Sequence, residues 1–412
     1  MTFSGKNLFL ASFIYLCFPI LLFLLTWITP WVALPLTAGL LVVVGQLFSH
    51  KPLGISNHFF TSDRVQYSTL QFALLMGGAA LVCILAGAGG WAFQRSDYEK
   101  HNAILKELLL NEWPVFFESI SFMPEATTHL NYYLAYYLPI AWASQFTGIA
   151  SVEYWAFAWT LLGFVLVLLW LSLFNSRQRW VAVAAFFFFN GMDVLVIGYE
   201  LAAHTLRAGL DTEFWYQQAR TGWSVALANK MLRYTGMYNL LIWTPQHALG
   251  GWLASCLFAY ERWHWGTARW MGLVVVLLLF WSPFAAVGLA LFGAISLLWA
   301  YHPSVWGWQN LAAAPLLAAL FGAMYLAHAP VSFKGWTWEW MGLAEFLWKY
   351  PIFMGIQVWA FAWLMWPPLR DTPMRRWFLA IVFLLSIFPC YKLGYNNDFL
   401  MHISIPYLFL LT

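Results

Sequence analysis

Three residues in one short stretch have the types and spacing for acid–base chemistry: Asp97, Glu99 and His101, within Ser96-Asp97-Tyr98-Glu99-Lys100-His101-Asn102. A carboxylate aimed at a hydroxyl can take its proton. If residues 97 to 110 are helical, Asp97 and His101 lie one turn apart on one face and Glu99 points elsewhere. A stripe of Ile104, Leu105 and Leu108 marks the buried side of that helix and runs on to Glu112-Trp113-Pro114. A solvated helix start, with acids favoured by the N-terminal dipole, accounts for the same residues without any activity.

Other polar residues stand out against apolar surroundings. Asp193 closes Phe186-Phe187-Phe188-Phe189-Asn190-Gly191-Met192-Asp193, so its carboxylate falls inside an apolar run. An acid at that depth faces a cavity or a partner, as a functional group or as a structural hydrogen bond between helices. Trp243-Thr244-Pro245-Gln246-His247 has Thr at the cap and Pro at the first helical position. This predicts a helix whose first turn carries Gln246 and His247 and offers free backbone N–H groups to an anion; a lone interfacial histidine is the plainer reading. Arg207, Arg220, Lys230 and Arg233 gather in one segment, where several cations together could hold a phosphate. Lys392, then Asn396-Asn397-Asp398-Phe399-Leu400-Met401-His402, reads as a cavity lining or as a helix cap.

The elements that must position these groups follow from composition. Of 412 residues, 62% are apolar, 20% aromatic and 9% charged, and the mean hydropathy is +0.68. A soluble domain carries about a quarter charged residues, so a soluble globular enzyme is excluded. A net charge of +3 with no basic stripe gives no case for nucleic acid. Cys17, Cys83, Cys256 and Cys390 are too dispersed for a disulfide framework or a zinc site. The expected fold class is all-α: a single polytopic transmembrane helical bundle over residues 1–412.

A hydrocarbon core of about 30 Å takes roughly 20 apolar helical residues. Spans are expected near 8–28, 30–49, 70–93, 153–175, 180–199, 246–262, 269–282, 284–301, 309–328, 351–368, 377–392 and 399–412, about twelve in all. The first follows Lys6 with no cleavage site after it and is read as a retained helix. The last stops at Thr412 inside an apolar run, as a short span or an incomplete chain. Basic residues in short connections resist translocation. With the N-terminus inside, Lys6, Lys51, Arg64, Arg177, Arg179, Arg262, Arg269, Arg370, Arg375 and Arg376 face the cytoplasm against only Asp63, Glu261 and Asp371. The segment 132–146 is Tyr-rich, short and broken by Pro139, and is read as an aromatic helix in the outer interface. After an N-terminal hairpin of residues 1–69, three long segments then lie outside: 94–152, 200–245 and 329–350. Trp215, Tyr216, Trp336, Trp338 and Trp340 in them could stack on sugars, interfacial anchoring being the commoner duty.

Taken together, these motifs resemble a bacterial integral-membrane glycosyltransferase of the GT-C superfamily. Its first long outer loop opens with an acidic pair, which Asp97-Tyr98-Glu99 matches in type and place. Asp97 to Pro114 is similar to the Asp, His, Leu-rich, Trp-Pro pattern of some bacterial members, and Tyr132 to Gly148 to a Tyr-rich juxtamembrane helix. Asn190-Gly191-Met192-Asp193, Thr244-Pro245-Gln246-His247 and Asn397-Asp398-Phe399 through Ser404-Ile405-Pro406 resemble later motifs in order. His402 stands where similar sequences lead one to expect Arg. The likeness runs from residue 94 onward.

The resemblance implies transfer of a sugar from a polyprenyl-phosphate-linked donor to a glycan, lipid or protein acceptor, on the outer face of the cytoplasmic membrane. Asp97 would take the acceptor proton, with Glu99 as the second catalytic carboxylate. Substrate contacts would fall to His101, Asp193, Arg220, Arg233, Gln246, His247, Lys392, Asp398 and His402. A divalent cation, Mg or Mn, would need two or three oxygen ligands, which Asp97, Glu99 and Asp193 could supply. The rivals are a secondary transporter, for which twelve spans and Asp193 are natural but no repeated half is visible, and a non-catalytic or polymerase-type envelope glycan protein.

Overall fold

Ser4 begins the first long helix, its Oγ accepting from the Asn7 N–H at 3.2 Å, so one orphan donor of the first turn is satisfied. In the computed structural model, which describes residues 1–50, 63–117, 128–189, 202, 204–207, 209, 231–327 and 333–412, the chain is predominantly helical. Helix α1 is Gly5–Trp27, and Pro30 at the first helical position opens α2, Pro30–Ser49. A reciprocal cap between Ser68 and Gln71 starts α3, Thr69–Leu85. There follow α4 (Asp97–Leu110), α5 (Tyr137–Thr147), α6 (Val152–Phe174), α7 (Arg179–Phe188), α8 (Met237–Trp243) and α9 (Pro245–Ala259). Then come α10 (Met271–Trp281), α11 (Pro283–Trp299), α12 (Ala314–Leu326), α13 (Thr337–Met341), α14 (Leu343–Leu369), α15 (Arg375–Ile387), α16 (Asp398–Ile403) and α17 (Ile405–Leu411).

Among the described residues, five helices are long and apolar enough to cross a membrane: α1, α2, Ile149–Phe174, Gln309–Leu326 and α14. Thr69–Leu85, Met271–Trp281, Pro283–Trp299 and Asp398–Leu411 are apolar but shorter. The run expected to span 70–93 stops early because Gly87 takes a left-handed conformation (φ 93°) and turns the chain. The run expected at 377–392 gives α15, a 13-residue helix that starts at Arg375 and passes through a turn into a strand. The last run is broken between α16 and α17, ahead of Pro406. Beyond Phe189 the span expected at 180–199 lies outside the described residues. Of the segment expected as an outer loop at 329–350, residues from Leu343 onward already belong to α14.

Short strands pair the connecting segments, which the all-α expectation did not include. β1 (Thr2–Ser4) pairs antiparallel with β2 (Arg64–Gln66), β3 (Phe116–Phe117) with β4 (Thr128–His129), and β5 (Lys334–Trp336) with β6 (Tyr391–Leu393). Each satisfies backbone groups that a bare loop would leave open.

The chain divides into two compact units, Met1–Ala182 with Leu241–Ala286 and Ala300–Ala329, and Val183–Leu240 with Val287–Trp299 and Pro330–Thr412. In the first, α1 is central, packed against α2, α5, α6, α9 and α10. Indole and phenol groups buried there need partners. Trp170 donates to Ser12 Oγ at 2.9 Å, Trp281 to the Leu16 carbonyl at 3.1 Å, and Tyr15 to the Trp159 carbonyl at 3.1 Å. Helices approach closely at glycines, the packing available when lipid is as apolar as the side chains. A Cβ at Gly163 would stand 2.5 Å from Tyr15 Oη, and one at Gly250 2.7 Å from Trp281 Cβ.

Hydrogen bonds also give this unit two different ends. At one, Lys6 donates to the Phe48 carbonyl (2.8 Å), Arg179 to the Gln66 carbonyl, and Arg262 to the carbonyls of Thr267 (2.9 Å) and Ala300. Gln309 donates to Gln46 there, and Asn310 to the Ala268 carbonyl. Several of the basic residues grouped from the sequence thus share one end. In the second unit, Tyr407 donates to the Gly288 carbonyl at 2.5 Å and rings of Phe292, Trp377 and Tyr407 pack together.

Candidate functional site

Three of the residues read from the sequence as chemical, Asp97, Glu99 and His101, lie on α4, and that helix is held along its whole length. Near its N-terminus the buried Tyr98 hydroxyl donates to the Ala86 carbonyl at 3.0 Å. At its C-terminus Trp113 Nε1 (2.8 Å) and Gln145 Nε2 (3.3 Å) donate to the Leu108 carbonyl, taking up an acceptor that the helix end leaves open. Ile104, Leu105 and Leu108 are buried, as the stripe predicted.

His101 forms the middle attachment. Its Nε2 lies 3.1 Å from the Trp243 carbonyl, and its Nδ1 2.5 Å from Tyr137 Oη. A carbonyl only accepts, so Nε2 carries the proton and Nδ1 accepts from the phenol. Burial lowers the His101 pKa from 6.5 to about 4; the Trp243 carbonyl opposes that shift, Lys100 adds to it, and the Asp97 carboxylate opposes it. Burial also keeps the Tyr137 phenol protonated. The ring is therefore neutral near pH 7, with both nitrogens committed. It joins α4 to α5 and to the residue just before Thr244-Pro245.

Asp97 is half-buried, one turn from His101, and Glu99 is exposed. Residues two apart on a helix point to nearly opposite sides, so the acidic pair does not converge. Among the described residues no three His, Cys, Asp or Glu side chains form a metal-holding group. The proposed set of Asp97, Glu99 and Asp193 thus has two members that diverge, while Asp193, like Arg220, lies outside the described residues.

Sequence reasoning placed the Tyr-rich segment in the interface as an anchor. Its helix has only 11 residues, about 16 Å long and too short to cross a bilayer. Leu134 to Ala141 are buried. Their neighbours bridge the two histidines: Tyr137 lies against His101, Tyr132 lies 6.1 Å from Tyr137 and 4.7 Å from Tyr133, and Tyr133 meets the His247 ring edge-on at 4.8 Å. Cations sit on the aromatic faces of this cluster, Lys100 over Tyr132 at 5.6 Å and Arg95 over Trp243 at 5.7 Å.

The first turn of α9 differs from the expected anion cradle. Pro245 has no N–H, and those of His247 and Ala248 both donate to the Thr244 carbonyl at 3.0 Å, so two of the donors expected there are already used. Thr244 caps the helix without a side-chain hydrogen bond. Gln246 is 0% exposed, and among the described residues neither its amide nitrogen nor its oxygen has a partner. An uncompensated buried amide is costly.

Beside α4 opens a cavity of about 320 Å³, lined by Gly89, Gly90, Gln94, Tyr98, His101, Asn102, Lys106, Tyr136 and Glu153 with apolar neighbours. Asn102 donates to Gln94 Oε1 at 3.0 Å and Gln94 to the Gly87 carbonyl at 2.9 Å, which fixes one polar wall. A Cβ at Gly90 (φ 71°) would stand 3.4 Å from Glu153 Oε1, so the glycine leaves that carboxylate room. Asp97 and Glu99 do not line this cavity; its own carboxylate is Glu153. Glu153, Arg95, Tyr137 and Trp243 were not foreseen. A signal existed for Glu153 alone, a single acid in the first turn of an otherwise apolar helix.

The remaining candidates belong to the second unit. Lys392 is 3% exposed, its ammonium 4.0 Å from the Trp340 ring centre and 5.3 Å from that of Phe333. Burial lowers its pKa and Asp398 opposes that. Trp336 and Trp338 stack on each other at 4.9 Å, so these rings spend faces within the fold. Asn397 caps α16, accepting from the Leu400 N–H and donating to the Met231 carbonyl at 2.8 Å; Asp398 follows in the first turn. His402 is buried and Arg233 half-buried. Capping therefore describes Asn397, and an aromatic cage describes Lys392.

Compared with known protein families, curated proteins and solved structures, the chain matches none.

Proposed function

We propose that the chain is a membrane glycosyltransferase that moves one sugar from a polyprenyl-phosphate-linked donor to an acceptor hydroxyl. The observation that carries this reading is a half-buried carboxylate, Asp97, at the start of a helix fixed at three levels, with Lys100 and Arg95 on neighbouring aromatic faces. In this reading Asp97 accepts the proton of the acceptor hydroxyl as its oxygen attacks the anomeric carbon. The bond from that carbon to the phosphate oxygen breaks, and its electron pair leaves on the phosphate. Lys100 and Arg95 are placed to offset the charge that grows there. Neutral His101 is a positioning residue, and the cavity with Asn102, Lys106 and Glu153 suits the hydroxyls of a sugar or acceptor.

A lipid-linked donor needs a site at a membrane edge, and five helices apolar and long enough to cross support that setting. The reading keeps about twelve spans, with the basic end of the first unit in the bacterial cytoplasm and α4 outside. The test is transfer by purified protein. Asp97→Asn lowers turnover by about 10²–10⁴-fold, the usual worth of a general base, with expression and melting unchanged. Retained activity refutes the assignment.

A further inference from the structure

At the end of the first unit opposite α4, a second cavity of about 630 Å³ lies between the C-terminal end of α2 and the segment leading into α12. Its polar lining is Gln46, Ser49, His50, Arg269 and Gln309, with no acid among the described residues of its wall. Among the described residues Arg269 joins no ion pair, and its side chain is exposed. His50 is wedged edge-on between Trp265 (5.0 Å) and Trp270 (6.3 Å). Its pKa is lowered by burial and by the charges of Arg269 and Lys6, which marks the spot as cationic. Gln309 is 3% exposed; its Nε2 donates to Gln46 Oε1 at 2.7 Å, but its Oε1 has no partner among the described residues. A Cβ at Gly307 would come within 2.5 Å of that oxygen, so the amide packs against bare backbone.

We propose that this groove binds the headgroup of an anionic phospholipid, with Arg269 and His50 on the phosphodiester and Gln309 Oε1 accepting from a headgroup hydroxyl. Two features select a lipid over a soluble anion. The groove continues past Gly45 to Val42, about one turn deeper along α2, which leads an acyl chain from the polar wall to apolar surface. Both helices that form it, α2 and Gln309–Leu326, cross-length and apolar, have only 28% of their spanning windows buried, so their outer faces are left to lipid. A basic pocket where such helices end is the arrangement that holds acidic headgroups. The inference does not depend on the glycosyltransferase reading.

The test is native mass spectrometry of the full chain in detergent with phosphatidylglycerol and phosphatidylcholine in equal amounts. Wild-type protein retains phosphatidylglycerol preferentially. Arg269→Gln, at an exposed position, lowers that retention about fivefold, the worth of one basic contact near a membrane surface, and Gln309→Leu lowers it as well. Arg370→Gln, at an exposed cation elsewhere, leaves it unchanged. Equal retention of the two lipids, an equal loss with Arg370→Gln, or no loss with Arg269→Gln overturns the proposal. Displacement of phosphatidylglycerol by inorganic phosphate at equimolar concentration identifies a free-phosphate site and overturns the lipid assignment.

Discussion

Replacing His101 by Phe tests whether the buried imidazole fastens α4 to the rest of its unit. Phe has similar bulk and no polar atom, so it leaves the Tyr137 hydroxyl and the Trp243 carbonyl buried without their partner. Each such group costs about 1–3 kcal/mol, which sums to roughly 2–6 kcal/mol. The pH dependence gives an independent magnitude. The unfolded imidazole gains its proton near pH 6.5 and the folded one only near pH 4. A folded-state pKa below the unfolded value means stability that is fully present above pH 6.5 and lost as pH falls from 6.5 to 4. At 1.36 kcal/mol per unit, the lost contribution is about 3 kcal/mol. Thermal unfolding of detergent-solubilised protein, followed by tryptophan fluorescence, should show the variant melting well below wild type at pH 7.5. The gap should narrow toward pH 4.5, because only the wild type has this proton to gain; groups such as His50 titrate in both proteins and cancel. Tyr137→Phe should cost less than His101→Phe, and the double variant less than the sum, because the two remove one shared bond. A variant that melts with wild type at pH 7.5, or a gap that is constant with pH, would refute the clamp.

Gln246→Leu removes a fully buried amide that has no partner among the described residues, so stability should rise by about 1 kcal/mol while transfer activity falls; a destabilised variant would mean that the amide is bonded in the fold. Gly250→Ala drives a methyl into Trp281 and should cost about 1–3 kcal/mol by denaturation, and unchanged stability would count against the close approach of α9 and α10. In a background with the four native cysteines removed, Glu99→Cys should react with a membrane-impermeant maleimide in intact cells and Arg269→Cys only after lysis. The reverse pattern would invert the proposed orientation.

The limits of α4 were legible because two signals coincide there: acids at the start, where the dipole favours them, and an apolar stripe at helical spacing that names the buried face. The same logic separated Asp97 and His101 from Glu99. It could not find Trp243, whose role comes from a distant segment of the chain meeting α4, and it left unread Arg95, which lies over the Trp243 ring, and Glu153, an acid in the first turn of an apolar helix. The helix start at Pro245 was also readable, but Thr244 satisfies two N–H groups with its carbonyl rather than its hydroxyl, which sequence does not encode. Long spans at α1, α2 and Ile149–Phe174 match their apolar runs closely. The run from 399 onward is divided between α16 and α17, a break that hydropathy averages over.

By itself the sequence determined the solvent of this protein and the periodicity of its helices. Few charges in a long apolar chain point to a lipid solvent, where the backbone must be satisfied internally, and apolar runs of helical length select helices for that. Tertiary structure decided which polar groups have partners. His101 became a neutral clamp because a phenol and a carbonyl from distant segments close on its two nitrogens. Lys392 became a caged cation because Trp340 and Phe333 surround it. Protonation and hydrogen-bond state depend on neighbours within a few ångströms, and in a folded chain those neighbours are set by packing and not by adjacency in sequence.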